Sequence, residues 1–227
     1  MTFKNQSVQK HKSWTVSKLG QYNSCPAQAK YKHLDKLPEP SSPALARGSE
    51  IHGHAEQYVT GREPKLVDEL KHPVIKKMLD GLKKVRVEME LAFTKKWKPC
   101  HWLAPDVYVR FKIDAVHFLK DGTVLVIDWK TGKFKPSDEY AQQLHAYCVA
   151  LLSSGLAKQA KSMLVFTDTG DVVESEKVLT LEDLPAAQKE WDKKAKPMLS
   201  DTMHAPRPGN ACRWCTFSTN RGGPCQF

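Results

Sequence analysis

Residues 111–133 read Phe-Lys-Ile-Asp114-Ala-Val-His-Phe-Leu-Lys-Asp121-Gly122-Thr-Val-Leu-Val-Ile-Asp128-Trp129-Lys130-Thr-Gly-Lys133. Two β-branched apolar runs flank an Asp-Gly pair, which is the pattern of a β-hairpin. Asp114 falls in the first strand and Asp128 near the end of the second. Strand side chains alternate faces, so Asp128 and Lys130 share a face and Trp129 points away. Two carboxylates and an ammonium can therefore converge on one point. Carboxylate oxygens bind hard cations such as Mg²⁺, and a water activated beside a Lys is a nucleophile suited to phosphodiester hydrolysis. A surface hairpin accounts for Lys120 and Asp121. It accounts poorly for Asp128, which ends a run that reads as a buried strand, where an unpaired charge is costly.

Upstream, Val87, Met89, Leu91 and Phe93 keep a period of two and predict another strand. Val107, Val109, Phe111 and Ile113 extend the first hairpin strand backwards. Ser17 is expected to cap a short helix through Tyr22, and Pro26 to open a second to about His33. Prolines 38, 40 and 43, with Ser41 and Ser42, make a loop. Ala44–Val59 and Pro73–Val85 have helical apolar spacing. Ser137 is expected to cap a helix through Leu152. Met163–Phe166 and Val172–Val178 read as strands around Asp168-Thr-Gly-Asp171, and Thr180 with Asp183 resembles a capping box for a last helix to about Met198. The order of helices, three strands, helix, strands and helix predicts a mixed α/β domain with a central sheet. Residues 1–13 read as a loose basic tail.

The chain has 227 residues, 41% hydrophobic content and a formal charge of +10. That length suits one sizeable domain. No run approaches the ~18 apolar residues of a membrane span, and the start lacks a signal-peptide pattern; a soluble, intracellular protein with no membrane partner is expected. The positive charge suits a polyanionic partner, although it also serves solubility.

Several constellations have both a structural and a functional reading. His52 lies on the Ala44–Val59 helix, one turn from Glu56, and is either an ordinary helical histidine or a third metal ligand. Gln143 and Tyr147 are stacked four apart on a helix; together they could hold a phosphate or base, but taken by themselves a solvated Gln and a core Tyr explain them better. Six cysteines are present. Cys212 and Cys215 form Cys-x-x-Cys, and with Cys25 and Cys225 could make a four-thiolate site for Zn²⁺ or an iron–sulfur cluster. Cys148 reads as core. The 94–105 loop mixes bases with Trp97 and Trp102, as single-strand binding sites do, or as a solvated loop anchored by two buried rings would.

Taken in order, these pieces resemble the RecB-like branch of the PD-(D/E)xK nuclease superfamily, nearest to CRISPR-adaptation nucleases, AddB-type nuclease domains and phage-encoded exonucleases. The resemblance runs from about Ser17 to Cys225. It matches Gly48-x-x-x-His52, Asp114 of Phe-Lys-Ile-Asp, Asp128-Trp129-Lys130, Gln143-x-x-x-Tyr147 and Cys25-Pro26. It implies a restriction-endonuclease-like core with a Cys-ligated cap formed by the chain ends. It also implies one nuclease domain, with helices over 14–62, a catalytic core over 86–178 and a Cys-rich tail over 200–227.

Its implied activity is metal-dependent exonucleolytic hydrolysis of DNA ends or single strands. His52, Asp114, Asp128 and the Trp129 carbonyl would hold Mg²⁺ or Mn²⁺. Asp114, Asp128, Lys130, Gln143 and Tyr147 would be catalytic, with Lys133, Lys135, Gln143 and Tyr147 on the DNA. Cys25, Cys212, Cys215 and Cys225 would hold a [4Fe–4S] cluster, with structural Zn²⁺ as the alternative. The implied setting is the cytoplasm of a bacterial or phage-infected cell, with a helicase, recombinase or integrase as a possible partner. A non-catalytic DNA-binding subunit with a vestigial site is the alternative function.

Overall fold

A computed structural model describes residues 9–40, 42–82, 85–132 and 138–227. In chain order the elements are α1 (Val16–Ser24), α2 (Pro26–His33), α3 (Pro43–Val59), α4 (Pro73–Gly81), β1 (Val85–Thr94), β2 (Val107–Phe118), β3 (Thr123–Lys130), α5 (Asp138–Ser153), β4 (Gln159–Phe166), β5 (Val172–Glu174), β6 (Leu179–Thr180) and α6 (Leu184–Ser200). They divide between two compact units, residues 41–190 and residues 1–40 with 191–227.

The larger unit is the α/β body. β1, β2 and β3 form an antiparallel meander, and β4 joins β3 in parallel. A parallel neighbour requires a crossover, and α5 supplies it. β5 and β6 both pair antiparallel with the outer edge of β4, completing a six-stranded mixed sheet. The Asp121-Gly122 turn works because Gly122 takes φ +84°, a left-handed conformation that costs glycine little.

Alternation along β3 sorts its side chains. Leu125, Ile127 and Trp129 pack with Ile51 and Ala55 of α3 and with Ile75 and Leu79 of α4. Asp128 and Lys130 therefore lie on the opposite face. On that side α5 buries Leu144, Tyr147, Cys148 and Leu151. α3 begins with Pro43 just inside its first turn, and the Ser42 hydroxyl accepts the Leu45 N–H.

The smaller unit is irregular. Trp14 stacks on Trp191 at a ring separation of 5.5 Å, and the Tyr22 hydroxyl donates to Asp201 at 2.9 Å. His11, Trp14, Leu19, Met198, His204 and Phe217 are all buried.

Several local expectations need correction. Thr15, not Ser17, caps α1, its hydroxyl accepting the Lys18 N–H. α4 stops at Gly81, and Val85 opens β1 rather than closing a helix. The expected strand over Val172–Val178 is shorter, and β6 is separate. His11 and Ser13 are buried, so that part of the N-terminus is anchored rather than loose. Ser41 and Ser137 lie outside the described residues.

Candidate active site

The β2–β3 ladder ends at Ala115↔Ile127. One residue further, the strands part. There the Asp114 carboxylate, rather than a backbone carbonyl, accepts the Trp129 N–H at 3.0 Å. Within a strand the N–H and C=O of one residue point to the same side, so the Trp129 carbonyl also faces the β2 side. The Lys130 carbonyl faces the other way and accepts the Thr167 N–H at 2.9 Å. A fork between two strands, with an acid set in it, is thus a direct product of where the ladder stops.

His52 reaches this fork from α3, its Nδ1 lying 3.4 Å from Asp114 Oδ2. Burial works against the His52 imidazolium, but the hydrogen bond with Asp114 and the charges of Asp114 and Asp128 outweigh it, and its pKa is raised. Asp128 is only 1% exposed. Burial pushes its carboxyl up to about 6, with Asp114 adding to the rise and Lys130 opposing it. Lys130 Nζ lies 2.7 Å from Asp128 Oδ2, an ion-pair distance, yet that buried oxygen has no hydrogen bond of good geometry. Lys130 instead donates to Gln143 Oε1 at 3.1 Å. Gln143 Nε2 in turn donates to the Tyr147 hydroxyl at 2.8 Å. Burial, followed by the Asp128 charge, holds the Tyr147 phenol well above its usual range. The chain Asp128–Lys130–Gln143–Tyr147 runs from strand to helix, so Gln143 is not simply solvated and Tyr147 is more than packing.

The donor set suits a hard divalent ion. Two carboxylates, an imidazole and a strand carbonyl are the right donor types, and Asp128 Oδ2, although charge-paired with Lys130 at 2.7 Å, has no well-aligned hydrogen bond. Among the described residues, no three His, Cys, Asp or Glu side chains already stand in a metal-binding arrangement. Glu56, one turn from His52, pairs with Arg62 instead. Lys133 and Lys135 lie outside the described residues. In the 94–105 loop, Trp97 is buried beside Phe93 and Phe111, and Trp102 is half-buried under the Arg110 guanidinium. Trp97 is an anchor of the core there, not a stacking surface.

Three contributors escaped the sequence. Arg47 forms a two-pronged pair with Asp168, at 3.1 and 2.7 Å, and Asp168 also accepts the Gly132 N–H at 2.9 Å. This ties α3 and the end of β4 to the turn after Lys130. The Tyr140 ring lies 5.3 Å from the Lys130 ammonium. Asp168 sits in a stretch that reads only as a turn, and no local spacing pairs it with Arg47.

In the smaller unit, Cys25, Cys212, Cys215 and Cys225 line one cavity of about 260 Å³. The Cys25 and Cys212 sulfurs each accept a backbone N–H at 3.4 Å, from Arg207 and Gly209. Burial and the three neighbouring cysteines raise the Cys215 thiol pKa. Cys148 is buried on α5.

A forked mixed sheet bearing Asp, Asp-x-Lys and a Gln-x-x-x-Tyr helix is consistent with a restriction-endonuclease-like core. The PD-(D/E)XK nuclease superfamily model matches residues 13–219, and the chain belongs to that superfamily. Among solved structures, SSO0001 is similar at 19% identity with a TM-score of 0.53, covering 93% of this chain and 86% of that one. An alkaline exonuclease (LHK-Exo) from Laribacter hongkongensis is similar at 13% identity with a TM-score of 0.39, covering 82% of this chain and 94% of that one. A comparison with curated proteins finds no match. Among the described residues, no helix is long and apolar enough to cross a membrane.

Proposed function

We propose that the chain is a Mg²⁺- or Mn²⁺-dependent deoxyribonuclease acting exonucleolytically on DNA ends or single strands. The observation that carries this reading is the buried Asp128 carboxylate paired with Lys130, with Gln143 and Tyr147 completing the line. A buried acid held against a Lys ammonium without a well-aligned hydrogen bond between them is a costly arrangement, and hydrolysis of a phosphodiester gives it a use. His52, Asp114, Asp128 and the Trp129 carbonyl would hold the ion. When bound, it supplies Lewis acidity at the scissile phosphate and lowers the pKa of a coordinated water. Lys130 orients the attacking water and stabilises the charge that builds on the phosphate. Gln143 fixes the Lys130 ammonium through its carbonyl oxygen, and Tyr147 fixes Gln143.

The same reading gives the four cysteines of the smaller unit a structural [4Fe–4S] cluster, or Zn²⁺ in its place. Four thiols lining one cavity, two of them accepting backbone N–H groups, support a thiolate-bound group.

The test is a time course on end-labelled single- and double-stranded DNA with Mg²⁺, Mn²⁺ or EDTA, using anaerobically purified protein. Metal-dependent release of short products from one end is the expected result and gives the polarity. Intact DNA under every condition would leave a DNA-binding subunit with a vestigial site.

A further inference from the structure

The positive charge of this chain is not spread evenly. Residues 41–190 carry 22 Lys and Arg against 21 Asp and Glu, a net of +1; residues 1–40 with 191–227 carry 13 against 4, a net of +9. Nearly all the excess therefore sits on the smaller unit, which holds none of the hydrolytic residues. From Thr202 to the last residue there is no Asp or Glu at all, while Arg207, Arg213 and Arg221 are exposed.

The tryptophans carry a second, independent sign. Of the six, Trp14, Trp97, Trp129 and Trp191 are buried, and Trp102 is half-buried. Trp214 is 76% exposed. It sits in the Cys212-Arg213-Trp214-Cys215 turn, at the rim of the cysteine cavity, with Phe227 on the same rim. The Arg221 guanidinium donates to the Arg213 carbonyl, which keeps that cation beside the turn. Leaving a large ring in water forfeits about 1.5–3 kcal/mol of burial, so an exposed Trp in a turn that carries Arg213 and holds Arg221 is costly unless something covers it. An exposed aromatic face amid cations matches a ligand with alternating phosphates and π-faces, and that ligand is single-stranded nucleic acid. A duplex presents the phosphates but keeps its base faces stacked away.

We propose that the smaller unit is a single-strand grip, in which Trp214 stacks on an unpaired base while Arg213 and Arg221 hold the adjoining phosphates. The proposal rests on the nuclease reading only in taking nucleic acid as the substrate, and it adds the unpaired strand as the preferred form.

The experiment uses the full-length chain carrying Lys130→Ala, purified anaerobically, so that DNA is bound and not cut. Fluorescence anisotropy with labelled oligo-dT and with a blunt duplex compares Trp214→Ala and Trp214→Phe in that background. Trp214→Ala should weaken oligo-dT binding at least about fivefold, Trp214→Phe should retain most of the affinity, and duplex binding should stay unchanged. Arg213→Ala with Arg221→Ala should lower the slope of log K against log salt by about 1.4; this arm decides the matter if Trp214→Ala fails to fold. Unchanged oligo-dT affinity and slope, or equal losses on strand and duplex, would overturn the grip. Cleavage by the unsubstituted protein is measured beside these: intact DNA there sinks the nuclease reading and leaves the binding result to be judged separately.

Discussion

Among the described residues the larger unit holds all six strands and the smaller none; the larger has a near-balance of charge and the smaller a net of +9. Each plan follows from what holds the unit together. In the larger, a sheet whose central strands β3 and β4 are buried on both faces supplies the apolar area, and a charged cluster can be set at one fork because the surrounding strands fix it. In the smaller, Trp14 on Trp191 and a few aliphatic side chains form a modest core. The tail after α6 is Pro-, Gly- and Cys-rich and forms only short 3₁₀ turns at Asn210–Trp214 and Thr219–Arg221. A domain of that size commonly needs a metal or cross-link to supplement its core. Chemistry is thus expected to depend on the sheet, and stability of the smaller unit on its thiols.

The strongest way to break this division is Lys130→Ala. Removing the ammonium takes away the group beside Asp128 and the partner of Gln143. Cleavage should fall roughly 10²–10³-fold, measured as initial rates on end-labelled DNA, while oligo-dT affinity and the metal content proposed for the four cysteines stay as they were. A Lys130→Ala protein with full activity would remove the active-site assignment. Next comes Cys212→Ser, which targets the other unit. On the proposed reading it should cost the protein its thiolate-bound metal, read by elemental analysis, and lower the calorimetric transition of the smaller unit by more than about 5 °C. The transition of the sheet-bearing unit should not move. Unaltered metal content and melting would mean that the four thiols hold nothing.

The contrast also explains what could be read from the residues. In the larger unit, side-chain period maps directly onto faces, so the hairpin and the placement of Asp128 with Lys130 were legible, whereas the Gln143–Tyr147 pair stood out only through the family resemblance. Boundaries were harder where local chemistry competes: Thr15 and Ser17 are both good caps, and only the Thr15 hydroxyl meets a helical N–H. The α4 stripe runs on in sequence through Val85, but the chain turns extended at Leu82. The Arg47–Asp168–Gly132 tie was invisible because Arg47 and Asp168 stand 121 residues apart, and Asp168 and Gly132 36 apart. The smaller unit has no repeating period, so its buried His11 and its exposed Trp214 follow from tertiary packing alone.

The smallest expected effect again separates the units, this time by pH. His11 is buried, with both ring nitrogens lacking a hydrogen bond among the described residues, and its ring lies 5.4 Å from that of His204 and 6.4 Å from that of His33. Burial, then Lys18, His204 and His33, lower its pKa to about 4, against the opposing charge of Asp201. His33 is lowered to about 4 as well, by burial and then by Lys18 and Lys32, with Glu39 opposing. Between pH 6.5 and 4 the unfolded chain binds protons at these positions that the folded unit refuses. Stability of the smaller unit is therefore full above about pH 6.5 and falls as the pH drops toward 4, by roughly 1–3 kcal/mol for His11. Urea unfolding at pH 7 and pH 5 should show this loss, and His11→Leu should flatten it by its own share. A loss that survives His11→Leu undiminished would assign the acid sensitivity elsewhere, with release of the thiolate-bound metal the first alternative, since protonated thiols bind metal poorly.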